Sequence, residues 1–412
     1  MTSMPRNESF ESNGPRGGAG ASFRSSRARF FTRLFMVGLG MVLLSSGPVA
    51  AQRYRVFFGT YTGGESQGIY TCTFDSRTGE AGDVVLAAAT DQPSFIALHP
   101  SGRYLYAVNE TVDDQGQKSG GVSAFAVDAE SGELTLLNRQ LARGGAPCHL
   151  NCSSDGKFVL VANYVGGNCS TLAINDDGTL EPAGCVIQHQ GSSVNAARQE
   201  GPHAHSINLD STEHYAVTAD LGTDRLYVHG FDAASGELSV RPDAELSCPP
   251  GSGPRHFAFH PDGRHAFVIQ ELDSTLGVLR WSAEKGTFDY LGVHSTLPED
   301  DATPNSTAEV VVHPSGKWIY GSNRGHNSLA IFRWMPEIED VELIANQSTL
   351  GEVPRNFAIE PTGRFLLAAN QESGSVVIFA IDPETGKLAE RQRLAVPKPV
   401  CVRFLPLTND GK

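Results

Sequence analysis

HFAFHPDGRHAFVIQ, His256 to Gln270, reads as two alternating apolar strands joined by a tight Pro-Asp-Gly turn. The same pattern recurs through the chain. FIALHPSGRYLYAVN (Phe95–Asn109), HLNCSSDGKFVLVAN (His149–Asn163) and SINLDSTEHYAVTAD (Ser206–Asp220) precede it. VVVHPSGKWIYGSN (Val310–Asn323) and NFAIEPTGRFLLAAN (Asn356–Asn370) follow, so the period is roughly 47 to 57 residues. A third strand comes after each pair, as in GVSAFAV, RLYVHGF, LGVLRW, LAIFRW and SVVIFAI, and a turn such as Asp128–Gly132 leads into a short fourth. No sustained 3.6-residue apolar period appears beyond residue 51, so little helix is expected.

A four-stranded unit of this size cannot bury both faces of its sheet alone; radial packing of several such sheets can. Six units are complete. PVCVRFLP (Pro399–Pro406) matches a first strand but lacks its successors, and RYRVFFGTY, GIYTCTF and a short strand near Val84–Ala88 supply them from the other end. The expected fold is therefore an all-β, seven-bladed β-propeller of four-stranded blades over residues 52–412, closed by the C-terminal strand joining the N-terminal blade. A two-domain β-sandwich fits the split unit poorly, and the WD dipeptide is absent.

Residues 1–51 fall outside that repeat. Arg-, Ser- and Gly-rich sequence leads to an apolar run, Leu34–Leu44, and then to small residues ending in Val49-Ala50-Ala51. That order predicts an export signal cleaved near Ala51 and a periplasmic or secreted mature protein. The run is short of the ~20 residues a spanning helix needs; an uncleaved anchor is the alternative. The segment holds six Arg and two Glu, so its loss takes the net charge from −14 to about −18. So acidic a surface argues against nucleic acid as partner, and requires a local basic patch wherever an anion is received. The seven cysteines show no CxxC spacing, which points to neither a zinc site nor a thioredoxin-type motif. Export permits disulfides, Cys169 with Cys185 being the pair that neighbouring strands could bring face to face; buried, inert thiols are expected for most.

With strands A to D running outward from the channel, the start of A and the end of B share one mouth. The A starts are Ser94, Cys148, His205, Arg255, Glu309 and Arg355; the residues just past B are Glu110, Tyr164, Leu221, Glu271, Arg324 and Gln371. The long insertions, Glu110–Gly120, Gln188–Gly201 and Leu297–Thr307, open on the same face, where variable loops on a rigid scaffold commonly carry function. His203 and His205 alternate onto one side of a strand, but no third metal ligand follows from spacing. His205 reads as a proton-transfer or hydrogen-bonding group. Arg255 and Arg324 offer forks for a carboxylate, phosphate or oxyanion, with Glu271 between them; a structural ion-pair cluster is the competing reading. His149, His203, His256, Glu309 and Arg355 are secondary candidates lining the pocket. His99, His260 and His313 fall at the opposite-end A–B turns and read as structural.

The segments GPHAHSINLDS, ADLGTDRLYVHGF, GSGPRHFAFHPDGRHAFVIQELDST, AEVVVHPSGKWIYGSNRGHNSLAIF and VPRNFAIEPTGRFLLAANQESGSVVIF together resemble the propeller lactonases. That family includes the propeller type of 6-phosphogluconolactonase and the fungal carboxymuconate cycloisomerase, and the resemblance spans Arg53 to Pro406. It implies a seven-bladed propeller and an active-site set of one His, two Arg and one Glu, matching His205, Arg255, Arg324 and Glu271. The implied activity is hydrolysis of a sugar or related lactone without metal or other cofactor. An export signal sits awkwardly with a phosphogluconolactone made in the cytoplasm. A cycloisomerase and a non-enzymatic propeller binding a sugar acid or protein stay open as alternatives.

Overall fold

The computed structural model describes residues 52–407, apart from Gln115. The expected export signal and the last five residues lie outside the described residues. Seven antiparallel sheets follow one another, each a four-stranded blade in which strand D is split in two in the first and fourth. Blades 2 to 7 take their A strands from Ile96–Leu98, Pro147–Cys152, Ala204–Leu209, Pro254–Phe259, Thr307–Val312 and Pro354–Ile359. Blade 1 is the split one: Pro399–Pro406 lies antiparallel against Arg53–Thr60, with Tyr54 opposite Pro406 and Thr60 opposite Pro399. The lone helical element among the described residues is one 3-10 turn, Pro242–Ala244. None of the described helices is long and apolar enough to cross a membrane.

The apolar core forms between blades. Val217, Ala219 and Val228 of blade 4, for instance, meet Phe257, Val268, Leu279 and Trp281 of blade 5. The turns away from the charged mouth lock the blades together. His99, His260 and His313 each bond through Nε2 to a turn carbonyl of the next blade, of Gly156, Gly316 and Gly363, at 3.0, 2.9 and 2.7 Å. Their reading as structural histidines thus gains a specific partner in each case. The C–D turn glycines Gly79, Gly178, Gly236, Gly286 and Gly386 sit against an aromatic ring of the preceding blade. Gly236, at φ 73°, would place a Cβ 2.4 Å from the Phe158 ring, so both conformation and space demand glycine there.

Disulfide pairing of Cys169 with Cys185 is not realised. Cys185 sits opposite Thr171, while Cys169 sits opposite Ile187. That diagonal relation is longer than a disulfide spans, and all seven cysteines are free.

Candidate active site

A register break at the mouth end of strand A decides which side chains enter the channel. In blade 5, Pro254 pairs with Gln270 and His256 with Ile269, leaving Arg255 unpaired. The same step leaves Cys148, His205, Arg355 and Val400 unpaired in blades 3, 4, 7 and 1. Such bulges re-aim a side chain that regular pleating would send elsewhere, and here they turn a ring of them into the mouth. Blade 6 makes the same one-residue shift, between Thr307–Asn323 and Val310–Gly321. Ala308 therefore occupies the position of Arg255, and Glu309 that of His256, one layer deeper than the ring to which the sequence reading assigned it.

His205, Arg255, Glu271, Arg324 and Arg355 come together at this mouth. With Glu110, Cys148, Tyr164 and Arg198 they bound a pocket of about 280 Å³, lining it or lying directly against its lining residues. Glu271 is its electrostatic centre. Arg255 Nε donates to its Oε2 at 3.0 Å, Arg324 Nη2 approaches the same oxygen at 2.9 Å, and Arg198 Nη2 donates to Oε1 at 2.6 Å. Burial alone would raise the Glu271 carboxyl, but Arg324, Arg255 and Arg198 outweigh it and hold the group at about 2. Arg255 and Arg324 are fixed from behind by the carbonyls of Ala308 and Thr307, at 2.6 and 2.8 Å. Arg324 is drawn down to about 10, through burial first and then repulsion from Arg255 and Arg355, although Glu271 favours its charged form. A guanidinium at that value stays protonated at neutral pH. Four guanidiniums against the carboxylates of Glu271 and Glu110 leave the pocket positive on a strongly acidic protein, the local basic patch that anion binding requires.

His205 is buried, and burial, followed by the charges of Arg255, His256 and Arg355, holds its imidazole well below the ordinary value. It is a neutral ring at neutral pH. Its Nδ1 faces Cys148 Sγ at 3.6 Å, and no protein group bonds its Nε2 among the described residues. On the far wall, Arg355 lies over the Tyr61 ring at 5.2 Å, and the Tyr61 hydroxyl donates to Glu110 at 2.9 Å.

The remaining candidates separate. His149 and His256 form a second layer with Phe95, ring against ring at 4.2 to 5.8 Å, and His256 Nδ1 bonds Glu309 Oε1 at 2.8 Å. Burial lowers both imidazoles and raises Glu309, so all three tend to their neutral forms. This layer closes the floor: only about 10 Å³ remains between His256, Arg255 and Tyr61. His203 lies outside the pocket, stacked on Tyr164 at 4.5 Å. A larger depression of about 640 Å³ lies at the opposite end, lined by Arg53, Arg55, Arg103 and Glu130 among others. It gathers no imidazole, and its deepest cation, Arg55, is already turned onto the carbonyls of Ala129 and Glu130; size alone does not make it the reactive site.

Arg198 is the contributor that the sequence did not reveal. It hangs from the Gln188–Gly201 connection, whose length flagged the loop but not the residue, and it reaches Glu271 and the Tyr164 hydroxyl from outside the repeat.

Residues 55–404 match the family model described as Lactonase, 7-bladed beta-propeller. A 6-phosphogluconolactonase of Bacillus subtilis is 37% identical over 86% of this chain and 99% of its own length. One from Formosa agariphila is 34% identical over 81% of this chain and 94% of its own. Among solved structures, a periplasmic gluconolactonase of Pseudomonas aeruginosa superimposes with a TM-score of 0.81 at 31% identity, covering 86% of this chain and all of that one.

Proposed function

Since the chain belongs to the seven-bladed propeller lactonase family, we propose that it hydrolyses a monosaccharide-sized lactone in the pocket bounded by His205, Arg255, Glu271 and Arg324. The observation that carries this reading is a neutral, buried imidazole beside a fixed pair of guanidiniums in one positive pocket. About 280 Å³ is near the lower end of ligand sites, suited to one sugar ring.

Water attacks the lactone carbonyl carbon as His205 takes its proton. The oxyanion that forms is met by Arg255 and Arg324, whose positions are set before the substrate arrives. The bond from the acyl carbon to the ring oxygen then breaks, and the proton held on His205 passes to the departing alkoxide. The product is a hydroxy acid, whose carboxyl proton escapes to solvent. Glu271, held at about 2, has no proton to give at neutral pH; its work is to orient the three guanidiniums. Arg355 and Arg198 complete the binding of polar or anionic substituents.

The apolar run Leu34–Leu44 and the small residues before Gln52 support an exported protein, as does the name of the periplasmic Pseudomonas relative. N-terminal sequencing of the mature chain should begin near Gln52; a chain still starting at residue 1 in the cytoplasm would overturn that placement.

A pH-stat screen against gluconolactone, its 6-phosphate and muconolactones, run in oxygen-18 water, tests the activity. Hydrolysis predicts acid release and label in the product carboxylate. Turnover without label would mean a cycloisomerase, and no turnover on any compound a binding propeller.

A further inference from the structure

A second cluster of reactive side chains lies in the seam between blades 3 and 4. Cys169 comes from strand C of blade 3, His189 follows strand D of that blade, and His229 comes from strand C of blade 4. All three are at most 3% exposed. One ligand atom from each lies within 4.8 Å of the other two, with Cys169 Sγ 3.9 Å from His229 Nε2. The Nδ1 of His189 is held by Asp220 Oδ2 at 2.7 Å. Its Nε2 is buried without a hydrogen-bond partner, as is Nδ1 of His229. Leaving the Nε2 of His189, on the side away from Asp220, unpaired in this buried seam is costly.

One thiolate and two imidazoles make a borderline-soft donor set. A carboxylate on the far nitrogen of a ligating histidine is the usual means of fixing its tautomer and direction. Charge also balances, because a divalent ion against one thiolate and the Asp220 carboxylate leaves no net charge in the seam. We propose that Cys169, His189 and His229 bind a zinc ion, with Asp220 orienting His189.

The consequence reaches the pocket. Asp220 Oδ1 accepts the backbone N–H of His203 at 2.9 Å as well as those of Gly222 and Thr223. Asp220 therefore grips both ends of the loop between His189 and His203, and that loop carries Arg198. A zinc ion on His189 pins the loop to blade 4 and so holds Arg198 against Glu271. The ion is structural: none of its ligands lines the pocket.

The test uses the whole mature protein, stripped with chelator and reloaded with zinc or cobalt(II). Wild type should retain about one zinc per chain after dialysis, and cobalt loading should give a thiolate-to-cobalt charge-transfer band. Cys169→Ser should lose the band and the bound zinc, whereas Cys248→Ala should keep both. Zinc should raise the melting temperature of stripped wild type but not of Cys169→Ser. Zinc retained equally by Cys169→Ser would overturn the proposal. Even if that variant misfolds, the wild-type cobalt spectrum decides: no thiolate band means no such site.

Discussion

Replacing Glu271 by Gln removes a carboxylate that three guanidiniums share in a buried position. A carboxyl drawn from 4.5 to about 2 is favoured in its charged, folded form. At about 1.4 kcal/mol per tenfold change in proton affinity, the effect is about 3 kcal/mol. Removing one member of a buried ion pair costs about 3–5 kcal/mol by a separate route, so the two agree. Unfolding entropy of about 2.1 cal/mol/K per residue, taken over residues 52–407, converts this to a fall in Tm of about 4 °C. The sign with pH follows from the direction of the shift. The contribution is full above the unfolded value of 4.5 and is lost as pH falls toward about 2. Urea unfolding of both proteins should therefore show the full gap at pH 7, narrowed by about 1 kcal/mol at pH 3.5. Equal stability at pH 7, or a gap that does not narrow in acid, would refute the picture of an anionic hub holding its arginines in place.

Four further outcomes follow, three from the pocket and one from the blade packing. His205→Gln should lower kcat by about 10²–10⁴-fold with little change in stability. Because burial and neighbouring cations keep His205 deprotonated, wild-type kcat/KM should stay flat as pH falls from 8 to 6; Arg355→Met should move the acid limb upward. Arg198→Met should raise KM or lower kcat by about tenfold while leaving Tm nearly unchanged, since its side chain is part-exposed and Glu271 keeps two other partners. Gly236→Ala should lower the unfolding free energy by at least about 1 kcal/mol, measured by denaturant titration, because its positive φ and the Phe158 ring both oppose a Cβ.

The repeat was legible because each strand pair alternates in the same way and carries a turn signal at a fixed offset. The match of Pro399–Pro406 to a first strand revealed closure. The mouth was legible in outline, since an antiparallel pair must return to its starting edge. Depth within the channel was legible only by counting back from the turn: with His313 set against His260, Ala308 falls in the Arg255 position and Glu309 in that of His256, one layer below the ring to which Glu309 was assigned. Arg198 was hidden because a loop residue obeys no strand period. The Cys169–His189–His229 cluster was invisible because ligand spacing rules apply within a local motif, whereas these residues meet only when blades 3 and 4 pack.

In the proposed reaction, lactone chemistry takes place between His205 and the Arg255–Arg324 pair. A crystal structure with an aldonate product bound tests it most directly. The carboxylate should lie on Arg255 and Arg324, with the hydroxyl released from the ring within hydrogen-bond reach of His205. Product seated instead in the depression beside Arg53, Arg55 and Arg103, with the mouth vacant, would contradict it.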